Sequence, residues 1–110
     1  IYRSMSIDQD LNIFMNTPTR LVPIDQVSSG TMDQIYLAVR LAAAKLVIGG
    51  KGNMPLIFDD SFALYDDDRL KTALKMAFKS WDKQCIIFTC HQREEEILKE
   101  EGITHQMIQI

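Results

Sequence analysis

Leu56-Ile57-Phe58-Asp59-Asp60, entered from Pro55, is the stretch on which the fold turns. Three apolar residues in a row read as a short strand buried on both faces, the habit of parallel sheets. Two adjacent carboxylates stand where that strand should stop, and carboxylates in that position have little packing purpose. At the carboxyl end of a parallel strand they face the crevice where open α/β sheets bind ligands, and hard oxygen donors suit Mg²⁺ held against phosphates.

Working outward, Gln84 to Thr89 with Cys85-Ile86-Ile87-Phe88 at its centre is a second strand of the same type, ending at Cys90-His91. Between the two, Ser61 to Tyr65 reads as a loop. Asp66-Asp67-Asp68 then open a helix whose apolar side is Leu70, Leu74, Ala77 and Phe78. Beyond the second strand, Glu94 to Glu101 is a charged helix with Ile97 and Leu98 inward, stopped by Gly102 before a last short strand, Gln106 to Ile110. Upstream, the apolar period is near 3.6 across Met32, Ile35, Tyr36, Val39, Ala42, Ala43, Leu46 and Val47. This is a long helix, capped by Ser28 or Ser29, with Asp33 in its first turn, and ended by Gly49-Gly50. The loop Gly49-Gly50-Lys51-Gly52-Asn53 is no P-loop, because a P-loop lysine opens a helix and Lys51 follows one.

From Tyr2 to Ile24 apolar residues alternate in short runs, Met5 and Ile7, then Leu11, Ile13 and Met15, separated by Asp8-Gln9-Asp10 and Asn16-Thr17-Pro18-Thr19. A third run, Arg20 to Ile24, carries Pro23 and belongs at a sheet edge or strand end. The whole order predicts one α/β domain over residues 1–110: an N-terminal antiparallel β-meander (1–24), then βα units forming a partly parallel sheet covered by helices (25–110).

The totals narrow the function. A 110-residue chain with 12 Lys and Arg against 15 Asp and Glu, net charge -3, is a poor electrostatic binder of nucleic acid by itself. Cys85 and Cys90, five apart on what reads as one strand, lie on opposite faces roughly 16 Å apart, too far to bond. Unpaired thiols point to a reducing, cytoplasmic setting. The most apolar run, Ile35 to Ile48, is broken by Arg40 and Lys45, so no membrane span is expected. The chain opens on Ile1 rather than Met and reads as a piece of a longer polypeptide.

Three loops remain as candidates for chemistry: Val27-Ser28-Ser29-Gly30-Thr31, Asp59-Asp60, and His91. A carboxylate for a metal, a second to orient or deprotonate water, and a histidine for a terminal phosphate suffice for phosphoanhydride cleavage. These residues carry a family resemblance. Val27-Ser28-Ser29-Gly30-Thr31 resembles the signature loop of ABC ATPases, and Asp33 to Ala42 the signature helix. Pro55 to Asp60 resembles the Walker B strand, Ala63-Leu64-Tyr65-Asp66 the D-loop, and Thr89-Cys90-His91 the switch-histidine loop, all in family order. The wording is closest to YhaN-like members of the SMC/RecN/SbcC branch, whose heads are split by a long coiled coil.

The resemblance implies the C-terminal lobe of an ATPase head that hydrolyses ATP, with Mg²⁺, across a head-to-head dimer. Ser28, Ser29, Gly30 and Thr31 would meet the γ-phosphate of ATP on the opposite subunit, at a helix N-terminus where free N–H groups favour anions. Asp59 would hold Mg²⁺ mostly through water, Asp60 would position the attacking water, His91 would touch the γ-phosphate, and Asp66 would cross the dimer interface. It further implies a Walker A half joined through the coiled coil, a second head, and work on DNA beside a nuclease. Two departures stand out. The family has Glu where this chain has Asp60, and no Gly-x-x-x-x-Gly-Lys-Ser/Thr loop occurs here, so the chain alone is not expected to bind ATP well.

Other assignments compete. Ser28 and Ser29 serve equally as helix caps, Asp66, Asp67 and Asp68 as first-turn carboxylates, His105 as a structural residue, and Glu94, Glu95, Glu96, Glu100 and Glu101 as a solvated face. A receiver-like or haloacid-dehalogenase-like phosphotransfer domain also places paired aspartates at a strand end, but near the start of its fold. A catalytically idle dimerisation module of ABC type is the third possibility.

Overall fold

The computed structural model describes residues 3–49 and 52–110. The beginning of the expected first strand at Tyr2, and Gly50 and Lys51 of the glycine-rich loop, lie outside the described residues. The chain forms two compact units, Ile1–Tyr36 and Leu37–Ile110, with the division falling inside the long helix.

In the first unit, β1 (Ser4–Ile7), β2 (Ile13–Asn16) and β3 (Leu21–Pro23) form an antiparallel sheet in the order β1-β2-β3. Ile7 faces Ile13 and Ser4 faces Asn16 across the first pair, and Phe14 faces Pro23 across the second. The first turn is held by Asp8, whose Oδ1 accepts the amides of Asp10 and Asn12, each at 2.9 Å. The Asn12 side chain, the largest influence, holds the Asp8 carboxyl below its usual range. Leu11, expected in the second strand, instead sits in this turn at φ 64, a left-handed conformation, and is exposed. Thr17 closes the second turn, accepting the Arg20 amide at 3.0 Å. Pro23 ends β3 on the sheet edge, where its missing N–H costs no ladder bond. A 3-10 turn, Ile24–Gln26, leads to Val27 and α1 (Ser29–Ile48).

α1 begins a residue or two earlier than its apolar period suggests, so Asp33 lies beyond the first turn. Its buried residues also differ from expectation. Ile35, Leu37 and Leu41 are buried, whereas Tyr36, Leu46 and Val47 are exposed, the last two by more than four-fifths. The helix carries two apolar stripes, and the one through Leu37, Leu41, Ala44 and Ile48 turns away from solvent. Gly49, at φ +59, ends it with its amide on the Lys45 carbonyl.

In the second unit, β4 (Leu56–Asp59) and β5 (Cys85–Phe88) pair in parallel, with Leu56 opposite Cys85 and Asp59 opposite Phe88. The crossover between them is α2 (Asp67–Ser80), followed after β5 by α3 (Arg93–Glu100). Asp66 caps α2 by accepting the Arg69 amide at 2.8 Å, which satisfies one otherwise orphaned donor. α2 buries Leu70, Ala73, Leu74 and Ala77 against Leu37, Leu41, Phe58, Phe62 and Ile97. Full burial of a side chain such as Leu70 contributes about 1.5–3 kcal/mol. Phe78, expected inward, is exposed, because the burial of Ala73 and Ala77 brings the facing surface round by part of a turn. Phe58 and Phe62 pack tilted and Phe62 and Tyr65 edge to face, with ring centroids 5.0 and 5.5 Å apart.

The last strand expected at Gln106–Ile110 does not form; a strand needs a ladder partner, and among the described residues none pairs with this segment. Nor do the strands join one sheet: three lie in the antiparallel sheet and two in the parallel pair. Both outer edges of β4-β5 are therefore open among the described residues, and Ile57 and Phe88, which share one face of the pair, are 56% and 48% exposed. The glutamates expected as a solvated face divide. Glu94 is 3% exposed, its Oε2 buried with no hydrogen-bond partner. Glu101 takes Lys71 at 2.8 Å and Lys75 at 3.3 Å, tying the end of α3 to α2. The Lys71 contact, foremost, holds the Glu101 carboxyl below its ordinary range and raises Lys71 in turn. Glu95 pairs with Lys99 at 3.0 Å. Among the described residues, no helix is long and apolar enough to cross a membrane.

Candidate functional site

Parallel pairing sends the carboxyl ends of β4 and β5 out of the same edge. Asp59 is the last residue of β4 and lies directly opposite Phe88, the last of β5. The ladder continues one step further, since the Asp60 amide donates to the Phe88 carbonyl at 2.9 Å. Asp60 then turns at φ 49, a left-handed conformation that aspartate tolerates better than most residues. On the neighbouring strand, the His91 amide donates to Thr89 Oγ1 at 3.0 Å and fixes the loop that carries the imidazole.

The result is a cluster. One ligand atom each of Asp60, Cys90 and His91 lies within 4.8 Å of the others, and all three residues are exposed. Asp60 and His91 were candidates from sequence, and here they converge; Cys90, assigned there to the same strand as Cys85, instead stands in the loop beyond β5 as the third member. Its adjacency to His91 was the available signal. Cys85 stays in β5, exposed overall, where partial desolvation pushes its thiol up. Both cysteines are free. Asp59 is exposed at the strand end and stands outside the cluster, its carbonyl accepting from Ser61 Oγ at 3.4 Å.

The Ser28 to Thr31 segment belongs to the first unit. Ser28 Oγ accepts the Thr31 amide at 3.2 Å and lies 2.8 Å from Thr31 Oγ1, so this serine caps α1 while Ser29 and Gly30 form its first turn. Asp66 likewise has structural work: it caps α2 and pairs with Arg69 Nη1 at 2.8 Å.

Arg93 was missed by the sequence analysis. Its guanidinium donates to the carbonyls of Tyr65, Phe62 and Ala63 at 2.5, 2.6 and 3.2 Å, and lies 3.4 Å from Asp67. It thereby holds the 61–65 loop against the start of α3. The signal was its position: a cation opening a helix opposes the helix dipole, so its charge is used elsewhere.

Comparison with known proteins adds local similarity. No protein-family model matches the chain. It is 32% identical over 83 residues to the uncharacterized protein YhaN of Bacillus subtilis, covering 74% of this chain and 8% of that protein. It is 33% identical over 88 residues to an uncharacterized protein of Mycobacterium tuberculosis, covering 78% of this chain and 10% of that one. With the DNA double-strand break repair Rad50 ATPase of Methanocaldococcus jannaschii it shares 26% identity over 98 residues, covering 87% of this chain and 10% of the relative. The chain thus spans 10% or less of the length of these curated relatives.

Proposed function

We propose that this chain is the C-terminal part of an SMC-like ABC ATPase head, which cleaves ATP at an interface between two heads. The observation that carries the proposal is the register of β4 against β5, with Asp59 and Asp60 leaving the same sheet edge as His91. The local similarity to YhaN and to an archaeal Rad50 ATPase supports the same assignment. So do the open edges and uncovered face of the β4-β5 pair: a parallel sheet is ordinarily flanked by strands and covered on both faces, and the open edges, with exposed Ile57 and Phe88 on one face, fit a sheet completed by a Walker A half.

Each group then has a task. Asp59 offers hard oxygen donors at the strand end, of the kind Mg²⁺ takes largely through its water shell. Bound there, Mg²⁺ would neutralise charge on the β- and γ-phosphate oxygens. Asp60 accepts a hydrogen bond from the attacking water and orients it, and His91 donates to a γ-phosphate oxygen. Ser28, from the partner head, donates its hydroxyl proton to the same phosphate while accepting from Thr31 Oγ1, an exchange their 2.8 Å separation allows. The Gly30 amide, in the first turn of α1, adds a second donor, and Ser29 lines the same approach. Asp66, already fixed as a cap, is the residue presented toward the second head. Work on DNA, beside a nuclease, belongs to the same proposal.

The Asp in place of the family Glu has a conformational rationale: a left-handed residue at this point is easier for aspartate than for glutamate. The test is ATP hydrolysis by the head reassembled with its Walker A half. Asp60→Asn should lower the rate by at least about 10²-fold, the scale of a lost general base. Equal rates would leave the site without its base and favour an idle dimerisation module. Phosphorylation of Asp59 or Asp60 by a small phosphodonor would favour a phosphotransfer domain instead.

A further inference from the structure

The cluster at the carboxyl edge of β4 and β5 has a donor set that Mg²⁺ chemistry does not explain. Mg²⁺ takes oxygen and avoids sulfur, yet the groups that converge are a carboxylate, a thiol and an imidazole. Thiolate, imidazole and carboxylate together are the ligands of Zn²⁺ and its neighbours, and three protein ligands with a fourth position open is a common zinc arrangement. We infer that Asp60, Cys90 and His91 form a Zn²⁺-binding site, with water or a phosphate oxygen in the remaining position.

The geometry suits this. Zinc bonds of about 2.0–2.3 Å place tetrahedral ligands about 3.5 Å apart, so donor atoms within 4.8 Å close on the ion by side-chain rotation alone. The backbone that carries them is held on both sides, by the Asp60 amide on the Phe88 carbonyl and the His91 amide on Thr89 Oγ1. Exposure of all three leaves the entry path open. Aspartate at this position matters, because its short side chain, on a left-handed residue, sets its carboxylate beside Cys90 and His91.

The regulatory consequence rests on the proposed function. An ion held by Asp60 and His91 withdraws the water-orienting carboxylate and the phosphate-contacting imidazole together, so Zn²⁺ arrests hydrolysis and a chelator restores it. Cys90 takes no part in hydrolysis and sets only the metal sensitivity.

Two measurements separate the claims. The first is calorimetric titration of the full 110-residue chain, reduced and in excess Mg²⁺, with zinc chloride. One ion should bind per chain, with affinity falling at least about tenfold in each of Cys90→Ser, His91→Ala and Asp60→Asn, and unchanged in Cys85→Ser and His105→Ala. Cobalt chloride should give the thiolate-to-metal absorption band in the parent chain and in Cys85→Ser, and none in Cys90→Ser. A flat isotherm, or binding that survives Cys90→Ser, overturns the site; so does loss of the band in Cys85→Ser. The second is hydrolysis by the reassembled head: Cys90→Ser should keep its Mg²⁺-dependent rate and require at least about tenfold more zinc for half-inhibition. No hydrolysis in any variant, with the isotherm intact, refutes the ATPase assignment and leaves the zinc site standing. Hydrolysis with a flat isotherm refutes only the zinc site.

Discussion

Replacing Asp60 by alanine and, separately, by glycine isolates the backbone at the centre of the site. Asp60 holds φ 49 while its amide remains bonded to the end of β5. For an ordinary L-residue the left-handed region costs about 1–2 kcal/mol. Glycine carries no such cost, but its freer unfolded chain offsets about 0.4–1 kcal/mol of that advantage. The net expectation is that Asp60→Gly folds more stably than Asp60→Ala by up to about 1.6 kcal/mol, about 0.8 kcal/mol at the midpoints of both ranges. For a chain of this size that is a difference of several degrees in Tm, about 4–8 °C per kcal/mol. Asp60→Glu should lie near the alanine variant. Urea denaturation of the three variants, followed by circular dichroism, gives the ordering through the midpoints at constant slope. An alanine variant more stable than the glycine one would mean that residue 60 is not left-handed in solution. The account of why aspartate stands there would then fall.

Leu70→Ala removes a fully buried side chain from the α2 core and should cost about 2–5 kcal/mol, read as a lower urea midpoint; a loss under about 1 kcal/mol would show the core collapsing around the gap. Arg93→Ala leaves the Phe62, Ala63 and Tyr65 carbonyls without their charged donor, costing about 1–3 kcal/mol and speeding hydrogen exchange at the Tyr65 amide; unchanged exchange would free the loop from dependence on Arg93. The Glu101 carboxyl is lowered in the folded chain, so its contribution is present above the ordinary glutamate pKa and is lost as pH falls through the folded value. Glu101→Gln should therefore melt lower than the parent at pH 7 and converge with it once pH falls below the folded value of Glu101; parallel pH profiles would contradict the assignment.

The sequence displayed the β4, α2, β5 succession because continuous apolar runs stopped by carboxylates or His91 have few other uses in a folded chain. Asp66, Gly49 and Gly102 mark helix ends by chemistry that acts within a few residues, so they too could be read directly. What escaped was decided by distant partners. α1 has two apolar stripes of equal periodicity, and only packing chooses between Leu37-Leu41 and Tyr36-Val47. Glu94 looks solvated among its charged neighbours, yet α3 is rotated so that it enters the interior. The segment 106–110 is apolar enough for a strand but, among the described residues, has no ladder to join. At the site, Asp60 and His91 were visible as residues, while the inclusion of Cys90 depended on β5 ending at Phe88, one residue before the expected Thr89, which leaves Cys90 in the loop.

The parallel ladder also dictates an order of assembly. Leu56 meets Cys85 only after the whole intervening segment has closed on itself, and that entropy is spent before any ladder bond repays it. A helix such as α2 forms in about a microsecond or less and shortens the distance to be closed. The capped crossover therefore precedes the strand pair, and the two halves of the aspartate and histidine edge meet among the last events of folding.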